Sequence, residues 1–158
     1  MDFQTDLFLG TALGTIIAFL LALPAVLLET SRRMQNMPLL IDVHAWRGKK
    51  LTEGEVFAVG LLIHLVIGAL YGLLYTLFAA NDWLFITHDP FSLKSLLIFA
   101  FFGWLVVNII ILPLIVGVGV FGRKEGKEVW IDSFLALFLE GLILWVVIQF
   151  YQPFFFMV

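Results

Sequence analysis

Four apolar runs, at about residues 7–29, 56–79, 95–120 and 129–151, take up most of this 158-residue chain. A hydrocarbon core about 30 Å thick is crossed by about 20 apolar residues rising about 1.5 Å each, so every run is long enough to span as a helix. Lipid offers no partner to backbone N–H and C=O groups, and a helix satisfies them within the segment. What lies between the runs is too short for a soluble domain of ordinary size. The expected fold is therefore all-α: a polytopic membrane protein of four transmembrane helices, bundled as two hairpins in a single domain over residues 1–158. Composition fits lipid as the solvent, with 62% hydrophobic residues and 13% charged ones, about half the charge of an average globular chain. There is no cysteine, which excludes disulfides, thiolate nucleophiles and Cys-ligated metal sites.

Charge placement says more than the net charge of −3. Arg32, Arg33, Arg47, Lys49 and Lys50 lie between the first two runs, and Arg123, Lys124 and Lys127 between the last two; the opposite side has only Lys94. By the positive-inside rule both basic segments are expected in the cytoplasm and both termini outside, in a bacterial-type inner or plasma membrane. The start, with Asp2 and Asp6, lacks the positive region of a secretory signal, so the first run is expected to be a retained helix.

Each run carries marks of its packing. The first has Gly10, Gly14, Ala18 and Ala22 at four-residue spacing, a stripe that lets another helix approach closely. Pro24 is expected to bend its last turns, and Glu29 and Arg33 to form an ion pair at its exit. The loop over 30–55 contains Pro38–Trp46, too apolar for a solvated linker, and is expected to lie along the inner interface with Trp46 at headgroup depth among its basic neighbours. Thr52 and Glu55 have capping-box spacing ahead of the second run. That run reads Gly60-x3-His64-x3-Gly68-x2-Tyr71-Gly72-x2-Tyr75 and puts His64, Tyr71 and Tyr75 on one face beside the glycines. Ser92 is the expected cap of the third helix, after a turn rich in Asn, Asp and Pro whose His88 is read as turn chemistry rather than a metal ligand. The tail from Tyr151 to Phe156 fits an aromatic belt at the outer surface.

The two halves share an internal echo: Leu23-Pro24 and Leu112-Pro113, then Glu55-Val56-Phe57 and Glu128-Val129-Trp130, an alignment that also superposes Gly68 on Gly141. Both hairpins run in the same direction, so this pattern describes a parallel duplication. His-x3-Gly-x2-Tyr-Gly at 64–72 and Leu-Pro…Gly-x-Gly-x-Phe-Gly at 112–122 resemble small four-helix bacterial inner-membrane proteins of unknown function, in which a His-x3-Gly motif recurs in both hairpins. Here the second copy departs from that pattern, with Leu137 and Gly141 at the His and Gly positions and Glu140 as the polar residue. The resemblance covers about a third of the chain and implies a duplicated four-helix fold and no activity.

His64, Asn108 and Glu140 fall near mid-membrane depth on three different runs. A lipid-facing acid at that depth costs about 2.5–3.5 kcal/mol, so Glu140 is expected to face protein or trapped water. The trio, with Tyr71 nearby, admits two readings: interhelical glue worth about 1 kcal/mol per contact, or a site for a ligand, ion or proton. No nucleotide motif, catalytic triad or metal-protease motif is present, and one intramembrane histidine cannot supply bis-His haem ligation; a single axial bond to a pigment or haem, and with it a membrane enzyme or cofactor holder, stays open without any spacing that favours it, and no metal or nucleic-acid partner is indicated. Two functions follow. The chain is expected to be an accessory or structural subunit that associates through Gly10, Gly14, Gly60, Gly68, Gly72 and Gly141 with itself or a larger membrane complex, with lipids as its other partners. The alternative is a small transporter or channel-like protein that works through the midplane residues.

Overall fold

The computed structural model describes residues 3–30, 40, 43–46, 49–84, 86–124, 129–151 and 156, with the side chains of 28–30 left outside the description. In chain order the elements are α1 (Phe3–Thr30), a ribbon of β1 (Ala45–Trp46) and β2 (Lys49–Lys50), α2 (Glu53–Ala80), α3 (Leu93–Val106), a π-helical segment (Val107–Val116), a 3₁₀ turn (Val120–Gly122) and α4 (Val129–Tyr151). Among the described residues four helices are long and apolar enough to cross a membrane, over 25, 28, 24 and 23 residues, the third formed by α3 together with the π segment. Large apolar side chains such as Phe8, Leu114 and Phe150 point outward and are 76–77% exposed. Such a coat would be costly in water and costs nothing in hydrocarbon.

The two hairpins pair as expected: α1 packs chiefly on α2 and α3 on α4, while α4 also runs along α1, and α2 touches α3 sparsely. The small-residue stripe explains the first pairing. A Cβ placed on Gly72 would meet the carbonyl oxygen of Gly10, one on Gly14 would meet that of Gly68, and one on Gly10 would meet Thr76. The antiparallel backbones thus touch at successive turns, and no side chain larger than hydrogen fits between them. Further along the same seam Ala18, whose carbonyl meets His64, and Ala22 are buried.

Local chemistry sets the helix ends. The Thr52 N–H donates to Glu55 Oε2 at 2.8 Å and the Glu55 N–H to Thr52 Oγ1 at 3.4 Å, a complete capping box that starts α2 at Glu53. Ser92 Oγ accepts the Ser95 N–H at 3.2 Å and starts α3 at Leu93. Both helices begin two or three residues before their apolar runs because these caps are polar. The third span is shorter at its far end than the run at 95–120. Pro113 has no N–H to offer Ile109, so an α-helical ladder cannot continue unbroken through it. The wider π turn occupies this stretch, the Gly117 N–H reaches back five residues to the Leu112 carbonyl at 2.9 Å, and Gly117 at φ 88° ends the helix in a conformation that glycine adopts without strain. Pro24, by contrast, is carried inside α1, which continues to Thr30.

The loop and the tail pack on the helices. Within the loop at 30–55, Leu40 and Val43 are buried, and Trp46 is half-buried against the core beside the ribbon. Leu40 clusters with Ala22 and Ala25 of α1, and Val43 joins the main core. Phe156 is likewise 1% exposed and packs on Phe91 with ring centroids 5.3 Å apart, so it closes the bundle end instead of joining an outer belt. Glu29, Arg32, Arg33, Arg47, Lys127 and residues 152–155 lie outside the described side chains.

The seam yields a direct test. Replacing Gly72 with leucine forces the α1 and α2 backbones apart, and overpacking of this kind costs about 1–3 kcal/mol or more. Gly54 has nothing within 4 Å of an added Cβ. Unfolding in mixed detergent micelles should therefore show Gly72→Leu strongly destabilised and Gly54→Ala close to the wild type.

Candidate functional site

Buried polar side chains sit along the inside of the bundle. His64, Asn108, Ser133 and Glu140 are each no more than 6% exposed. In a membrane such groups are costly unless paired, so where their hydrogen bonds go separates packing from function.

His64 is held by the glycine seam. Its Nε2 lies 2.9 Å from the Ala18 carbonyl oxygen, and a carbonyl only accepts, so Nε2 carries the proton and Nδ1 keeps the lone pair. This bond exists because the small residues let α1 come close enough for its backbone to meet an α2 side chain. Asn108, the second residue of the π segment, donates from Nδ2 to the Trp104 carbonyl at 2.9 Å and to Ser133 Oγ at 3.0 Å. Ser133 also lies 3.1 Å from the Trp130 carbonyl, which accepts the Trp104 indole N–H at 3.0 Å. Asn108 is thus satisfied across the α3–α4 hairpin, and its bonds go to neither His64 nor Glu140.

Glu140 differs from both. Its side chain is 2% exposed, and its Oε1 has no hydrogen-bond partner among the described residues. A Cβ on Gly68 would stand 3.0 Å from that oxygen, so the missing side chain at Gly68 is what gives the carboxyl room against α2. His64, Ser133 and Glu140 line one cavity of about 10 Å³, whose other walls are apolar residues that include Ile67, Val107 and Leu137. Two larger hollows of about 250 and 200 Å³ lie between α2 and α3, walled by side chains such as Leu74, Phe78, Phe99 and Phe102. Their lining is almost wholly apolar, and the buried carboxyl and imidazole lie on the small cavity.

Tyr71, expected at the midplane with the others, serves the hairpin contacts. Its hydroxyl donates to the Leu96 carbonyl at 2.7 Å, and a Cβ on Gly141 would stand 2.7 Å from it. Gly68 and Gly141, aligned by the internal echo, therefore make reciprocal openings, one for the Glu140 carboxyl and the other for the Tyr71 hydroxyl. Farther along α2 the Tyr75 hydroxyl donates to Ser95 Oγ at 3.0 Å and accepts the Phe91 N–H at 2.8 Å.

Of the expected midplane trio, two members share the cavity and Asn108 reaches it only through Ser133. Sequence reasoning misses Ser133 as a site residue, although it stands two turns before Glu140 on the same helical face, the one signal that points to it. The basic residues stay peripheral: Lys49 pairs with Glu55 at 3.7 Å on the surface, Lys50 and Arg123 are exposed, and Lys124 Nζ caps the Gly117 carbonyl at 3.2 Å. No family model matches this chain, and no curated protein or solved structure is similar to it. The resemblance to small inner-membrane proteins rests on the motifs at 64–72 and 112–122 alone.

The Asn108–Ser133 contact behaves as structural glue and is open to a double-mutant cycle. Asn108→Ala and Ser133→Ala should show a coupling of about 0.6 kcal/mol, within a ceiling of about 1.7 kcal/mol for such membrane contacts. Additive effects in an unfolding titration would contradict the bond.

Proposed function

We propose that this chain is a small transporter or channel-like membrane protein whose working group is the Glu140 carboxyl, with His64 and Ser133 beside it and Asn108 positioning Ser133. The observation that carries this reading is the buried Oε1 of Glu140, without a hydrogen-bond partner among the described residues, on a small cavity that it shares with His64 and Ser133. Glue must bond to something across a helix interface, as Asn108 and His64 do, and this oxygen does not. A group so costly to bury, and so little used in packing, fits a role in binding and release.

The reading as an accessory subunit loses part of its support. Gly10, Gly14, Gly68 and Gly72 are taken up in closing α1 on α2, and Gly141 faces Tyr71, so these residues offer no outer face to a partner. The short loops still suit such a role, yet they name no surface for it.

The test is flux in proteoliposomes, screened over protons, sodium, potassium and chloride under an imposed gradient. Wild-type protein should carry at least one of these, and Glu140→Gln should reduce that flux at least tenfold while eluting as the wild type does on gel filtration. Unchanged flux in Glu140→Leu would end this reading.

The orientation belongs to the same proposal: basic segments in the cytoplasm, both termini outside, in a bacterial-type inner or plasma membrane. Eight of nine Lys and Arg residues on one side support it. An alkaline phosphatase fusion after Val158 should be active in a bacterial host and one after Lys124 inactive; the reverse pattern would invert the topology.

A further inference from the structure

We infer that the cavity between His64, Ser133 and Glu140 holds a single water molecule and that the species this site binds and releases is a proton. The inference rests on the proposed transport reading and names the substrate class for it.

Size is the first argument. A space of about 10 Å³ lies at the threshold for one water, about 10–15 Å³, and below the needs of any organic solute. The donor set is the second. A hard cation takes about six or more oxygen ligands, whereas this lining supplies one carboxyl and one hydroxyl beside an imidazole and apolar walls.

The hydrogen-bond count is the third argument, and it closes around one water. In its neutral form the Glu140 carboxyl has one O–H to donate and needs an acceptor. His64 Nδ1 has a lone pair, because Nε2 is committed to Ala18. Ser133 Oγ accepts from Asn108 and keeps a second lone pair. One water that accepts from the carboxyl and donates to Nδ1 and to the remaining lone pair of Oγ gives the Glu140 O–H the acceptor it lacks. Without it the Glu140 carboxyl, whose Oε1 has no partner among the described residues, carries the cost of an unmade bond in a dry interior.

The inferred water would also let the proton move. The carboxyl gives its proton to the water as the water passes one of its own to Nδ1. The products are carboxylate, imidazolium and a regenerated water, with charge and atoms conserved, and the imidazolium keeps its Nε2–H bond to Ala18. The groups that can influence this step are few. From α2 they are His64 itself and Tyr71, which lies within electrostatic reach of Glu140. At this level α1 contributes Gly14 and Ala18, the π segment Val107 and Asn108, and α4 Ala136, Leu137 and Gly141, none of them titratable. Of the 12 acidic residues only Glu140 lies in the middle of an apolar run, so one protonated carboxyl signal is expected from the membrane interior.

Infrared spectroscopy of the full chain in phosphatidylcholine–phosphatidylglycerol nanodiscs tests this. Wild-type protein should show one buried carboxyl C=O band whose amplitude changes with pH and whose position shifts on transfer to D₂O. The band should vanish in Glu140→Gln. In His64→Gln, which keeps an N–H for Ala18 and lacks a proton-accepting nitrogen, it should persist with an altered pH response. A wild-type band that neither titrates nor shifts in D₂O would overturn the inference, and this arm needs no variant to fold. A titrating band in a protein that carries no flux would retain the proton site and sink the transport reading. Glu140-dependent flux with a silent band would do the opposite.

Discussion

The contact of α1 with α2 through bare backbone is the constraint on which the rest of the bundle depends. Gly10 and Gly14 meet Gly68 and Gly72 with no room for a Cβ. In lipid there is little hydrophobic drive for two apolar helices to associate, so van der Waals contact and short interhelical hydrogen bonds must hold them. The glycines supply the first by letting main chains touch. They supply the second as well, because only at this spacing can the Ala18 carbonyl accept from His64. One stripe of absent side chains thus binds the first hairpin and sets the histidine tautomer.

A second consequence passes to the other hairpin. The space left by the missing side chain of Gly68 is bounded by Ala18 and the Gly14 carbonyl on α1 and, at 3.0 Å from an added Cβ, by the Glu140 carboxyl on α4. On α4, Gly141 opens the matching space for the Tyr71 hydroxyl. Positions aligned by the echo between the halves therefore meet at the α2–α4 contact. His64 aligns with Leu137 and Ile67 with Glu140, and all four line the same cavity.

Much of the architecture is legible in the order of the amino acids. The four runs, the capping box at Thr52 and Glu55 and the cap at Ser92 are local signals, each complete within a few residues, and each appears where the pattern puts it. The small-residue stripe is legible as a close-packing face, but its partner is not. Spacing shows that a helix wants a close neighbour and carries no information on whether that neighbour is in the same chain. The third run reads as longer than the helix because hydropathy continues past Val116, whereas the backbone register fails at Pro113 and the chain turns at Gly117. The buried positions of Leu40, Val43 and Phe156 are unreadable for a similar reason. An apolar residue beside a membrane can cover lipid or protein, and only the neighbouring helix surface decides between them.

The candidate site divides along the same line. That His64, Asn108 and Glu140 occupy mid-run positions follows from the sequence, since depth in a spanning helix is set by counting residues from its ends. Which of them meet does not follow, because that depends on how each helix is rotated about its axis. Tertiary packing turned Asn108 towards Ser133, committed His64 Nε2 to Ala18, and left one oxygen of Glu140 without a partner beside the same small cavity. By itself the sequence determined a four-helix chain made for lipid, through run length and apolarity. Only the fold decided which polar group is used in holding helices together and which is left over, because hydrogen bonds across helix interfaces depend on rotations that no single helix contains.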